Sequence, residues 1–155
     1  MATTDAQGRV DVSPKGDPPG FVHVIDGTTI AIPERPGNKR VDGYLNVLER
    51  PHVSTLFLIP GRGDTLRING PARILADADY FDAMVVAGKR PILALEIDVE
   101  EVFFHCAKAF LRSDTWNPGR PEPDRGAQRR AASQGDQEGH EPRRAGDVLQ
   151  RGQPA

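Results

Sequence analysis

The chain has 155 residues, one cysteine and a formal charge of -2, which bounds it to one modest domain without a bulk electrostatic pull toward nucleic acid. A single cysteine excludes an intramolecular disulfide and any multi-cysteine zinc site, and it suits a reducing cytoplasm. No apolar run approaches the roughly 18 residues a membrane helix needs, and the opening MATTDAQGRV carries no hydrophobic signal segment, so the chain reads as soluble and cytoplasmic, with no membrane partner.

Val22, Val24 and Ile25 lead through Asp26-Gly27 into Ile30, Ala31 and Ile32, the pattern of two short strands joined by a tight turn. After Pro36-Gly37, the residues Val41, Tyr44, Leu45 and Leu48 fall at i, i+3, i+4 and i+7, one buried helix face, which Pro51 ends. Asn38 is the expected N-cap. Arg35, Asn38, Lys39 and Arg40 therefore gather at a strand–helix junction, where unpaired N–H groups and the positive end of the helix dipole suit an anion. The same residues also read as solvated charges at a helix start.

Residues 53–59, VSTLFLI, form a continuous apolar run that fits a strand buried on both faces. The PGRGD that follows contains an adhesion-like Arg-Gly-Asp, but in a chain without a secretion signal it reads as a glycine-rich hairpin turn. In residues 65–75, Leu66 and Ile68 alternate with Arg67 and Asn69, and Gly70-Pro71 interrupts the alternation as a bulge or bend would. Residues 77–86 read as a helix capped by Asp77 or Asp79 and ended near Gly88. Residues 92–102, ILALEIDVEEV, alternate as one long strand.

Residues 103–116, FFHCAKAFLRSDTW, put His105, Lys108 and Arg112 on one basic stripe if helical, with Cys106 and Phe110 on a neighbouring face. Burial as a small hydrophobe is the commoner fate of a free cysteine such as Cys106. A lone histidine without a visible carboxylate partner, as at His105, reads as a hydrogen-bonded structural residue before it reads as a general acid or base. No nucleophile triad, HExxH or P-loop pattern supports a hydrolase or a nucleotide kinase. After Trp116 the composition shifts to Gly, Pro, Arg, Gln and acids, with Val148-Leu149 the only aliphatic pair, which is too little apolar surface to offset chain entropy. The pairs Arg129-Arg130 and Arg143-Arg144 are interleaved with acids and have no aromatic beside them for base stacking. The expected organisation is a disordered leader over 1–7, a domain over 8–118 and a disordered low-complexity tail over 119–155.

The blocks VDVSPKGDPPGFV, IPERPGNKR, LFLIPGRGDTLRINGPARI and FFHCAKAFLRSDTW resemble, in order and ungapped, successive blocks of the pyridoxamine 5'-phosphate oxidase-like family of flavin-binding split β-barrels. The resemblance covers about residues 8–118. It implies a mainly β protein with short helices, a six-stranded split barrel that forms a homodimer and holds FMN in each of two clefts between subunits. A deazaflavin can take the same place on this fold.

For the phosphate, the resemblance points to Arg35, Asn38, Lys39 and Arg40, with Ser13 and Lys15 from the preceding strand end. It sets Arg67 and Asn69 along the flavin cleft and draws Lys108, Arg112 and Ser113 from the C-terminal part. Trp116 either covers the ring or packs at the subunit boundary. No catalytic residue and no metal site follow from it. Relatives carry a helical leader and a complete first strand ahead of GRVDVSPKGD, and an ordered segment after Trp-Asn-Pro. The expectation for this chain is thus a truncated start with an incomplete first strand, and a tail from a shifted reading frame. The implied function is that of an FMN-dependent oxidoreductase of unspecified substrate. The alternatives are a non-catalytic flavin-binding module and an inactive truncated fragment.

Overall fold

A computed structural model describes residues 1–37, 40–106 and 108–119. Along the described residues the elements are β1 (Ala2–Thr4), β2 (Val10–Val12), β3 (His23–Val24), β4 (Thr29–Glu34), α1 (Asp42–Glu49), β5 (His52–Leu58), β6 (Asp64–Leu75), a 3-10 helix (Asp79–Met84), β7 (Leu93–Asp98), β8 (Glu101–Cys106) and α2 (Lys108–Ser113). All strand pairings are antiparallel, in the order β2-β1-β5-β6-β7-β4-β3, with β8 also pairing β6. The architecture is mainly β with few short helices, in keeping with a split barrel.

The hairpin expected around Asp26-Gly27 is β3–β4, with His23 opposite Ala31 and Val24 opposite Ile30. Asp26 stabilises the turn by accepting from the Thr28 N–H at 2.8 Å and the Thr28 hydroxyl at 3.1 Å, the local side-chain bonding that favours Asp in turns. The PGRGD segment is likewise the β5–β6 turn: Leu58 faces Thr65, Gly61 has φ +79°, and Arg62 forks onto Asp64.

The strands buried on both faces are β4 and β7 rather than β5. Ile30, Ile32, Leu95 and Ile97 pack into the main core with Tyr44, Leu45, Val47, Val53, Ile68 and Ala72, while Ala31 and Ala94 face a second cluster with Phe81 and Met84 under the 3-10 helix. In β5, by contrast, Val53 and Thr55 are buried while Leu56 and Leu58 are exposed. The apolar run there has only one covered side within a single chain.

Other expectations are corrected by tertiary pairing. Residues 1–7 are not a free leader: β1 pairs with β2, and Thr3 and Asp5 are buried. The helix α1 starts at Asp42 with Val41 as its N-cap and no side-chain cap bond, in the place expected for Asn38, which lies outside the described residues. Its inward face includes Asn46, whose amide donates to the Thr3 hydroxyl at 3.1 Å, whereas Leu48 is exposed. Residues 79–84 wind as a 3-10 helix rather than an α-helix. Phe103 to Cys106 lie in β8, so His105 does not share a helical stripe with Lys108 and Arg112, and Cys106 is exposed rather than buried.

The long strand expected over 92–102 is broken in two by a bulge. Between the pairs Ala72–Ile97 and Asn69–Glu101, the two residues Gly70 and Pro71 of β6 face Asp98, Val99 and Glu100. One extra residue on the β7–β8 side bends the ladder, as bulges do. Gly70 is required at this crossing because a Cβ built there would lie 1.9 Å from the Asp98 carbonyl oxygen. The disturbance expected at Gly70-Pro71 is real, but the additional residue is on the partner strand. The tail residues 120–155, including the arginine pairs, lie outside the described residues.

Candidate functional site

A cleft of about 500 Å³ opens where the end of β2 meets the approach to α1. Ser13, Pro14 and Lys15 form one wall, and Gly37, Arg40, Asp42, Gly43 and Tyr44 form the other, with Met1, Asp11, Val12 and Glu34 completing it. Backbone bonds between Met1 and Ser13, 2.9 and 3.0 Å long, fix the strand end that presents Ser13. Helical periodicity then turns Tyr44 inward, where only 2 % of it is exposed.

In the lining of the cleft, one oxygen of Glu34 accepts from two residues. Lys15 Nζ donates to Glu34 Oε2 at 2.8 Å, and the Tyr44 hydroxyl donates to the same oxygen. The Lys15 ammonium also lies 4.6 Å from the centroid of the Tyr44 ring, a cation–π contact. Burial first, then the bond and charge of Glu34, push the Tyr44 hydroxyl well above the ordinary phenol range. Tyr44 thus stays a donor and holds the carboxylate in place. Arg40 Nε lies 3.5 Å from Asp42 Oδ2 on the opposite wall. Together these groups can recognise an anion through Lys15, Arg40 and Ser13, in a cleft whose carboxylates moderate its positive charge.

The expected site residues are divided among four places. Ser13, Lys15 and Arg40 line this cleft; Asn38 and Lys39 lie outside the described residues. Arg35 turns to the other side of the sheet, where it pairs with Asp17 at 2.6 Å and donates to the carbonyls of Met84 and Lys89 at 2.6 and 3.1 Å. Its five donors are largely committed to tying loops together. Arg67 and Asn69 are on β6: Arg67 lies over the Phe103 ring at 5.8 Å, and Asn69 bridges Ser54 and Glu101 at 2.6 and 2.9 Å. Lys108, Arg112 and Ser113 are exposed on α2. Trp116 stacks on Phe110 with ring centroids 6.1 Å apart.

Glu34 and Tyr44 were not legible as site residues. Tyr44 belongs to the apolar helical stripe and reads as core, while Glu34 closes a strand and meets Lys15 across 19 positions of sequence. Among the described residues, no group of three or more His, Cys, Asp or Glu side chains is arranged to hold a metal ion. No helix among them is long and apolar enough to cross a membrane.

The model of the pyridoxamine 5'-phosphate oxidase family matches residues 1–106. The chain belongs to this family. The match begins at residue 1 and ends with β8, so it takes in both walls of the cleft and the whole β framework. Among solved structures, HupZ of Group A Streptococcus is 23% identical with a TM-score of 0.52, over 68% of this chain and 82% of that one. A histidine-to-alanine variant of HupZ gives 24% identity and a TM-score of 0.51, over 67% and 86% of the two chains. A Lactobacillus delbrueckii protein named as a candidate pyridoxamine 5'-phosphate oxidase is 25% identical with a TM-score of 0.49, over 66% and 79%. The likeness to HupZ is one of fold. No curated protein matches the chain.

Proposed function

We propose that this family member binds FMN and serves as a flavin-dependent oxidoreductase, with the phosphate end of the cofactor in the cleft between β2 and α1. The observation that carries this reading is the convergence of Ser13, Lys15 and Arg40, from two separate chain segments, on one cleft of about 500 Å³. A hydroxyl, an ammonium and a guanidinium match the acceptor oxygens of a phosphate monoester. Asn38 and Lys39, between Gly37 and Arg40, belong to the same proposed set by sequence. Bound flavin would supply the electron transfer, and the chain's own residues would hold and orient it. Arg67 and Asn69 of β6, and Lys108, Arg112 and Ser113 of α2, remain proposed contacts to the rest of the cofactor. A deazaflavin fits the reading equally as far as the ring is concerned.

The proposed working unit is a homodimer. Val102 and Phe104 of β8 are 60% and 65% exposed although they stand on the same face as Ile68 and Leu66, which they oppose in register. A second copy packing there would complete a core that one chain leaves open. The exposed free thiol of Cys106 suits a reducing compartment, in line with a cytoplasmic setting.

The test is flavin uptake by the purified protein, measured with FMN and riboflavin side by side. FMN is expected to bind and give the visible spectrum of an oxidised flavin. Lys15→Met is expected to weaken FMN about tenfold or more, as for loss of a charge-assisted bond, while leaving riboflavin nearly unchanged. A protein that takes up neither flavin refutes the function. Equal weakening of both ligands refutes the placement of the phosphate.

A further inference from the structure

Lys15 has an anionic partner inside the cleft before any ligand arrives. Glu34 Oε2 accepts its ammonium at 2.8 Å, and both side chains are largely shielded, 16% and 24% exposed. Tyr44, almost fully buried, donates to that same oxygen and prevents the carboxylate from swinging away. The arrangement differs from an ordinary surface ion pair, in which both partners move freely in water. Here both partners line the cleft, and the carboxylate is tethered by a neutral hydroxyl.

We infer that Glu34 is an internal competitor for the anion site, setting how strongly Lys15 binds an incoming phosphate. This deepens the reading of the cleft as a phosphate site and rests on it. An entering phosphate draws the Lys15 ammonium toward its own oxygens, and Glu34 loses that bond while keeping the one from Tyr44. Two negative groups then share one cation at close range, so the carboxylate opposes the phosphate directly. Such a site retains a bound phosphate monoester less tightly than its cations alone would allow. It also discriminates against anions too weakly charged to displace the carboxylate.

Glu34→Gln isolates the charge. Both existing bonds converge on one oxygen, Oε2, so the amide oxygen of glutamine can accept both while the negative charge is gone. Inorganic phosphate binding is measured by calorimetry and phosphorus NMR in the wild type, Glu34→Gln, Lys15→Met and the double variant, each checked for a cooperative melt. Glu34→Gln is expected to tighten phosphate about tenfold, and Lys15→Met is expected to remove that gain. Unchanged or weaker phosphate binding in a folded Glu34→Gln protein overturns the inference, and so does a gain that persists without Lys15.

Should Glu34→Gln fail to fold, Glu34→Asp provides the second route. It keeps the charge but is one methylene too short to serve both Lys15 and Tyr44, so the ammonium is released more readily, and a smaller tightening of phosphate is expected. Unchanged affinity overturns the inference. FMN and riboflavin are titrated in parallel. The expected phosphate response in a protein that takes up no flavin sinks the flavin function and supports the role of Glu34. Flavin uptake with phosphate affinity unmoved by Glu34→Gln does the opposite.

Discussion

Replacing Gly70 with alanine tests the bulge that lets one long strand serve both halves of the barrel. The new Cβ would sit 1.9 Å from the Asp98 carbonyl oxygen, 3.0 Å from its carbon and 3.1 Å from the Glu100 nitrogen, where ordinary contact begins at 3.4 Å. All three neighbours are backbone, so no side chain can rotate out of the way. The two strands must part by about 1.5 Å, which strains the packing by about 1–3 kcal/mol on the scale of overpacked cores. The same displacement stretches the bond from the Glu100 N–H to the Asn69 carbonyl, 3.0 Å long, whose loss costs about 1 kcal/mol. The expected total is about 3 kcal/mol, a large fraction of a typical stability of about 5–15 kcal/mol. At about 4–8 °C per kcal/mol for a domain of this size, Tm should fall by about 15 °C. Urea and thermal unfolding supply the measurement. Gly16→Ala is the control, since nothing lies within 4 Å of its added Cβ, and it should change stability by less than about 0.5 kcal/mol. A Gly70→Ala protein as stable as that control would refute the steric argument for the crossing.

Arg35→Ala removes the pair with Asp17 and the bonds to Met84 and Lys89. It is expected to cost about 2–3 kcal/mol in urea unfolding through the loss of a partly buried network, with the FMN-to-riboflavin preference kept. A tenfold loss of FMN alone at unchanged stability would instead make Arg35 a phosphate ligand. Phe104→Asp places a charge on the exposed apolar face of β8 and should shift sedimentation from dimer to monomer with little change in the core beneath. A dimer that survives the substitution would move the interface elsewhere.

Local patterns in the sequence translated well into local structure. The β3–β4 hairpin is announced by Asp26-Gly27 because a tight turn is encoded by adjacent residues. The spacing of Tyr44 and Leu45 likewise marks α1 because helical periodicity is a property of one segment. Where tertiary partners decide, the reading failed. The bulge at 98–100 depends on how β6 crosses from β8 to β7, which no feature of ILALEIDVEEV reveals. Residues 103–106 form a strand because Thr65, Leu66 and Arg67 are there to pair with them, although the same letters admit a helical stripe. In β5 the apolar Leu56 and Leu58 face outward, so counting hydrophobic residues overstated burial. The site followed the same division. Arg40 was named from the strand–helix junction and Ser13 and Lys15 from family resemblance, and the three line one cleft, but the link from Lys15 through Glu34 to Tyr44 spans distant positions and appears only in three dimensions.

The energetics of that link separate it from the ion pairs that organise the rest of the domain. Arg73 pairs with buried Glu96 and also reaches Asp98, while Tyr80 caps the other Glu96 oxygen at 2.8 Å. That network joins neighbouring strands β6 and β7 and is accounted for by the fold. Lys15 and Glu34 lie on no shared ladder. Withdrawing both charges from water costs several kcal/mol before their attraction and the Tyr44 bond offset it, and apolar residues of similar size commonly serve stability as well or better. A largely shielded ion pair is a poor device for stabilising a strand end, but it is an effective one for keeping a cation desolvated, oriented and restrained beside an open cavity. The barrel framework therefore accounts for where Lys15 and Glu34 stand, and the proposed anion binding would account for why they are charged.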